Sequence, residues 1–201
     1  MKIKSLKSKH IFKIIMLASI TTLFSGFMSL VFSKSSLVAA PGIKAMKSVY
    51  DLNLTLNNGE IISLQKFKGK KILFVNVASK CGYTSQYSKL QELYELNSER
   101  LEIIAIPCND FGKQEPGNAK EIKEFCSLNY GITFTIAAKQ NIKSLPKSEL
   151  YNWLSEPSQN GWNSELPSWN FCKYLLDENG ELTYYFKSNV SPLGEKISSV
   201  I

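Results

Sequence analysis

From Ser48 onward the spacing of apolar and polar positions changes period several times. SVYDLNLTLNNGEIISL (48–64) alternates around Asn57-Asn58-Gly59, which predicts a β-hairpin. KFKGK (66–70) is a polar turn, and KILFVNVAS (71–79) is a nearly unbroken apolar run of strand length, as expected for a strand covered on both faces. Ser85–Leu96 then carries Tyr87, Leu90, Leu93, Tyr94 and Leu96 at helical spacing. LEIIAIP (101–107) is a second buried strand, stopped by Pro107.

Asn118 with Glu121 reads as an N-cap and capping box, and the helix after it puts Ile122, Phe125 and Cys126 on one face. ITFTIAA (132–138) is a short strand. Ser144-Leu145-Pro146 is expected to open a helix with proline in its first turn. FCKYLLDENGELTYYFK (171–187) predicts a hairpin turning at Glu178-Asn179-Gly180, and a last helix is expected near Pro192. The order ββ, βα, βα, β, α, ββ, α requires parallel pairing at the centre and antiparallel strands late. The fold class is therefore α/β: a thioredoxin-like fold with a mixed central sheet flanked by helices and an N-terminal β-hairpin. Residues 41–201 are read as that domain.

Charge separates residues 1–40 from the rest. They hold six of the 24 basic Lys and Arg residues and no acid, which leaves 18 basic residues against 17 acidic ones in the domain. A nearly neutral domain argues against nucleic acid as a partner. The basic start MKIKSLKSKHIFK leads into Ile14–Phe32, a stretch without charge but diluted by Ser, Thr and Gly. Three readings stand. The segment is a cleaved signal, alone or as the first part of a bipartite plastid-type or mitochondrial leader, with Val38-Ala39-Ala40 at the cleavage site. Alternatively it is an uncleaved membrane anchor, or a buried helix of the domain. Routing into the secretory pathway or an organelle is the expected localisation.

The lone histidine, His10, lies in this leader. The domain thus excludes Ser-His and Cys-His catalysis and histidine-ligated metal, and the four cysteines Cys81, Cys108, Cys126 and Cys172 form no C-x-x-C pair. Neither metal nor cofactor is expected. Cys81 is the candidate for chemistry. It stands where a buried strand gives way to a helix, so unpaired backbone N–H groups and the helix dipole favour a thiolate there without any imidazole. Gly82 removes bulk beside the sulfur, and Thr84 offers a hydroxyl to cap the helix or to donate to the thiolate.

NVASKCGYT (76–84) resembles the active-site segment of the glutathione peroxidase family, with cysteine where some members carry selenocysteine. PCNDFGKQEPG (107–117) and WNFCKYLLDENG (169–180) match two further signatures of that family, in its order, and the resemblance covers roughly 48–201. It implies that Cys81 is the peroxidatic thiol, with Gln114, Trp169 and Asn170 as the catalytic partners. Side-chain amides and an indole N–H can donate to a thiolate, a peroxide or a leaving oxyanion without ionising. The resemblance also implies that Cys126 is the resolving cysteine of the cysteine-type, thioredoxin-dependent branch, for which its helix must unwind or shift.

The function so implied is a thiol peroxidase in antioxidant defence. It reduces hydrogen peroxide and organic or lipid hydroperoxides through a Cys81 sulfenic acid and a Cys81–Cys126 disulfide recycled by a thioredoxin-like protein. Glutathione as reductant is the alternative within the enzyme reading. A redox sensor using the same disulfide, or a membrane-tethered binding module, are the alternatives outside it. Cys108 and Cys172 are assigned no catalytic part, Cys172 being read as packing. Asp110 stands where the family usually has glutamine, which adds a carboxylate expected to work against a thiolate if the two are adjacent. The short 138–167 segment resembles that of the monomeric branch, whose shorter loop opens the site to bulky substrates.

Overall fold

The computed structural model describes residues 35–201, and the folded unit runs from Ser36 to Ile201. The apolar run 14–32 lies outside the described residues, whereas Val38-Ala39-Ala40, read as a cleavage site, lies within them, with Val38 in the first strand and Ala39 N–H donating to Thr183 C=O at 2.9 Å. The elements are β1 (Ser36–Val38), β2 (Asn53–Thr55), β3 (Ile61–Ser63), β4 (Lys71–Val77), α1 (Gln86–Asn97), β5 (Leu101–Pro107), α2 (Ala119–Tyr130), β6 (Thr135–Ile136), α3 (Glu149–Ser155), α4 (Pro157–Asn160), β7 (Lys173–Leu176), β8 (Leu182–Phe186) and α5 (Glu195–Ser198).

Six strands form one sheet in the order β1-β8-β7-β4-β5-β6, while β2 and β3 form the separate hairpin. β4 pairs with β5, and β5 with β6, in parallel; β4–β7, β7–β8 and β1–β8 are antiparallel. β4 and β5 are buried on both faces, which is why their sequences lack alternation. Leu73, Val75 and Val77 pack on one side with Tyr87, Leu90 and Leu93 of α1 and Ile122 and Cys126 of α2. Ile72 and Phe74 pack on the other with Leu150, Tyr151, Trp153 and Leu154 of α3. The expected mixed-sheet α/β architecture with its N-terminal hairpin is thus present.

Local signals explain most boundaries. The capping box forms in full: Glu121 N–H donates to Asn118 Oδ1 at 3.1 Å, and Asn118 N–H to Glu121 Oε2 at 2.8 Å, worth about 1 kcal/mol to α2. Two boundaries differ from expectation. Pro146 does not open α3; Ser148 caps it by accepting the Tyr151 amide at 3.3 Å, and Pro146 sits before it after a cis peptide bond. The sheet also starts inside the stretch assigned to the leader. Ser36–Val38 pairs with Tyr184–Phe186 along the outer edge of β8, so the folded unit begins at Ser36, ahead of residue 41. No helix among the described residues is long and apolar enough to cross a membrane.

Candidate active site

Cys81 follows β4 in a loop of successive turns. Thr84 N–H donates to Cys81 C=O at 3.0 Å, Gln86 N–H to Tyr83 C=O at 2.9 Å, and Tyr87 N–H to Thr84 C=O at 3.0 Å, and this run leads into α1. The helix proper thus begins at Gln86, later than a reading of Cys81 at its very N-terminus requires. The donor at the sulfur is a single backbone amide, Tyr83 N–H to Cys81 Sγ at 3.4 Å. The Thr84 hydroxyl neither caps α1 nor touches the sulfur. It accepts the Cys81 amide at 2.9 Å and donates to Ala78 C=O at 2.9 Å, locking the loop's shape. Gly82 is exposed, and a Cβ there would meet nothing within 4 Å, so the approach to the sulfur is open. Cys81 itself is 9% exposed.

Gln114 is tied to this loop through Lys80 N–H, which donates to Gln114 C=O at 3.0 Å. Its side-chain Oε1 accepts Asn170 Nδ2 at 3.0 Å. That bond fixes the amide's orientation and leaves Nε2 as the end available to donate. Trp169 stays 38% exposed and packs edge-on against Phe111 at 6.2 Å. Gly112 has a φ of 62°, and a Cβ there would stand 3.2 Å from the indole, so a side chain at 112 would be strained and would push Trp169 away from the turn before Gln114. Tyr83, Ser168, Trp169, Lys187, Ser188 and Asn189 line an open cleft of about 470 Å³ at this face. The structure thus joins Gln114 to Asn170 directly, and both to the Cys81 loop and Trp169 through short backbone links.

Asn76 is the residue the sequence reading passed over. Fully buried within β4, it donates from Nδ2 to Trp169 C=O at 2.9 Å and accepts Cys172 N–H on Oδ1 at 2.9 Å, while its own carbonyl accepts Phe171 N–H at 2.5 Å. Phe171 is held at φ 63°, a strained value for a non-glycine residue, and this clamp is what keeps it there. The only sequence signal is a polar residue interrupting KILFVNVAS. Glu115 was likewise passed over; it is wholly buried, with Oε1 accepting the Ser79 hydroxyl at 2.6 Å.

All four cysteines are free thiols and buried. Cys126 lies in the third turn of α2, in the same apolar cluster as Cys81. Burial pushes its thiol up to about 11, against the pull of the Tyr87 hydroxyl and with the nearby Glu115 charge adding to the rise. Cys108 is pushed up to about 12, again chiefly by burial. Cys172 packs fully buried in the core cluster, as expected. Burial pushes its thiol up, but donors from Ser188, Tyr185 and the Trp169 and Ser168 amides pull it below its ordinary value. Asp110 is engaged away from Cys81, in the 142–144 loop. Its carboxylate accepts the amides of Ile142, Lys143 and Ser144 and the Ser144 hydroxyl. Partial burial raises its pKa, but these donors outweigh that and bring it down to about 2. Among the described residues no group of three or more His, Cys, Asp or Glu is arranged to hold a metal ion.

The glutathione peroxidase family profile matches residues 49–155. The chain belongs to the glutathione peroxidase family. It is 41% identical over 157 residues to glutathione peroxidase-like peroxiredoxin 2 of Saccharomyces cerevisiae, covering 77% of this chain and 97% of the yeast protein. It is 40% identical over 146 residues to the glutathione peroxidase homolog BsaA of Bacillus subtilis, covering 72% and 91%. Among solved structures it is similar to Trgpx in its apo form, with a TM-score of 0.58 at 30% identity over 76% of this chain and 92% of that one. A thioredoxin-like protein from Aeropyrum pernix matches with a TM-score of 0.52 at 15% identity over 75% and 89%, a likeness of fold alone. This family member therefore has the thioredoxin-like fold expected from its sequence.

Proposed function

We propose that Cys81 is the peroxidatic thiol of this glutathione peroxidase and Cys126 its resolving thiol, with Gln114, Asn170 and Trp169 as the donors around the reacting oxygens. The enzyme is a thiol peroxidase. The Cys81 thiolate attacks the O–O bond of a hydroperoxide, releases water or an alcohol, and is left as the sulfenic acid. Cys126 then condenses with it to a disulfide, and water departs. A thioredoxin-like dithiol returns both cysteines to thiols, so the electrons come from an external thiol and no resident metal or cofactor is needed. The observation that carries this reading is the Asn170–Gln114 hydrogen bond, which orients an uncharged donor beside the Cys81 loop in a domain without histidine.

Resolution by Cys126 requires α2 to open locally. Of the residues of α2 only Ile122 and Cys126 are buried outright, while Phe125 and Tyr130 pack on Tyr87 from half-buried positions, so local opening of α2 has to part those ring contacts. The short 138–167 segment and open cleft support a monomer acting on bulky hydroperoxides, including those of lipids, and the basic, acid-free leader supports secretory or organellar routing with membrane contact through residues 14–32. Hydroperoxide turnover driven by thioredoxin and thioredoxin reductase, compared with glutathione and glutathione reductase, tests the reductant. The thioredoxin couple is expected to sustain turnover and glutathione to be the poorer donor; the reverse order overturns the assignment.

A further inference from the structure

One buried polar atom near Cys126 has no hydrogen-bond partner, Oε2 of Glu115, while the Tyr87 hydroxyl is directed at the Cys126 thiol. Buried polar atoms left unmatched are uncommon and call for an explanation. Glu115 is fully buried, its position held by the Ser79 hydroxyl on Oε1 and by its own amide donating to Asn109 Oδ1 at 2.9 Å. It lines a cavity of about 520 Å³ with Ser79 and Lys80, which precede Cys81, and with Ile122 and Phe125 of α2, which flank Cys126. The cavity is thus walled on one side by the residues that lead into Cys81 and on another by the turn of α2 that leads into Cys126. Tyr87 packs on Phe125 and Tyr130 of α2 and on Phe171 beside Asn170, so it links the moving helix to the site.

We propose that the Glu115 carboxylate is the proton acceptor for the resolving thiol, a role that rests on Cys126 being that thiol. A thiol protonated at neutral pH is a poor nucleophile, so the resolving step needs a base, and no histidine exists in the domain to serve. Glu115 supplies one at a cavity that α2 itself lines. The proton of Cys126 passes to Glu115, and the sulfur's electron pair forms the S–S bond to Cys81. The S–O bond of the sulfenic acid breaks, its hydroxyl takes up a proton from solvent and leaves as water, and Glu115 returns the proton it accepted to solvent. Reactants and products balance as one sulfenic acid and one thiol giving one disulfide and one water.

The electrostatics agree with the placement. Burial raises the Glu115 pKa above the ordinary carboxylate range, against the Ser79 hydrogen bonds and the charges of Lys139 and Lys80. Its charge acts in turn on both Cys126 and Tyr87. Glu121 at the cavity rim is the other carboxylate facing it. A carboxylate whose pKa is raised holds an accepted proton better than an ordinary one.

The test follows a single turnover of the full chain with one equivalent of hydroperoxide between pH 5 and 9. Sulfenic acid is trapped with a dimedone-type probe, and the Cys81–Cys126 disulfide is read by mass spectrometry after rapid quenching. Glu115→Gln should form the sulfenic acid at the wild-type rate but the disulfide at least ~10-fold more slowly. It should also lose the wild-type fall in rate towards acid. Glu115→Asp, which keeps the charge on a shorter arm, should recover part of the rate and restore the acid limb; it carries the same test if the glutamine variant does not fold. Wild-type disulfide rates and pH profiles in both variants overturn the role of Glu115 while leaving Cys126 as the resolving thiol. Absence of any Cys81–Cys126 disulfide in the wild type overturns that reading, and the base with it.

Discussion

Asn170 Nδ2 donates to Gln114 Oε1 at 3.0 Å, and through that bond one side chain sets which end of the other is left free to donate. Reversal of the Gln114 amide would present an acceptor oxygen to a thiolate and a leaving oxyanion, which is repulsive. The two residues therefore act as a unit. Gln114→Ala and Asn170→Ala should each lower kcat/KM for hydroperoxide by about 10²-fold, the cost of one such donor. The double variant should lose far less than the product of the two. Strictly multiplicative losses in that cycle contradict the coupling.

Asn76 is the second prediction. Asn76→Ala removes the donor to Trp169 C=O and the acceptor of Cys172 N–H inside the sheet. Thermal or denaturant unfolding should show a loss of about 2 kcal/mol. Peroxidase activity should fall as well, because the Trp169–Asn170 segment loses its anchor. A stable variant with full activity contradicts the clamp.

Asp110 carries a pH prediction. Its folded pKa is depressed to about 2 from an ordinary 3.8, so its contribution is present above about 4 and is lost as pH falls through about 2. Asp110→Asn should lower Tm at pH 7, because an amide N–H₂ would face the donors of the 142–144 loop. The wild-type drop in Tm between pH 4 and 2 should become shallower in the variant. An unchanged acid limb contradicts the assignment of these four hydrogen bonds to a carboxylate.

At the N-terminal edge, a chain beginning at Ser35 keeps β1, and one beginning at Gly42 loses it and uncovers the backbone groups of Tyr184–Phe186. The shorter chain should remain an active peroxidase, since β1 touches none of the site residues. Its Tm should fall by a few degrees, the shift that about 1 kcal/mol makes in a domain of this size. Equal melting of the two chains contradicts a structural role for β1.

Much of this was legible in the sequence because the signals are local. The Asn118–Glu121 box, the Asn57-Asn58-Gly59 and Glu178-Asn179-Gly180 turns and the apolar strands β4 and β5 each state their conformation within a few residues. What escaped depends on partners far along the chain. Asn76 reads as a flaw in an apolar strand until residues 169–172 arrive beside it. Asp110 reads as a charge near the thiol until the 142–144 loop closes on it. Thr84 reads as a helix cap, yet its hydroxyl serves the turn before the helix. Ser36–Val38 reads as leader because three residues carry no period, and only the open edge of β8 makes them a strand.

The most direct test of the central claim is one turnover by Cys126→Ser. Cys81 is untouched in that variant, so it should consume about one equivalent of hydroperoxide and then stall, with Cys81 held as a sulfenic acid that a dimedone-type probe labels. Thioredoxin-driven turnover should be absent, while the wild type shows a Cys81–Cys126 disulfide and increased hydrogen exchange across α2. Full thioredoxin-linked activity in Cys126→Ser would contradict the account and pass the resolving role to another thiol.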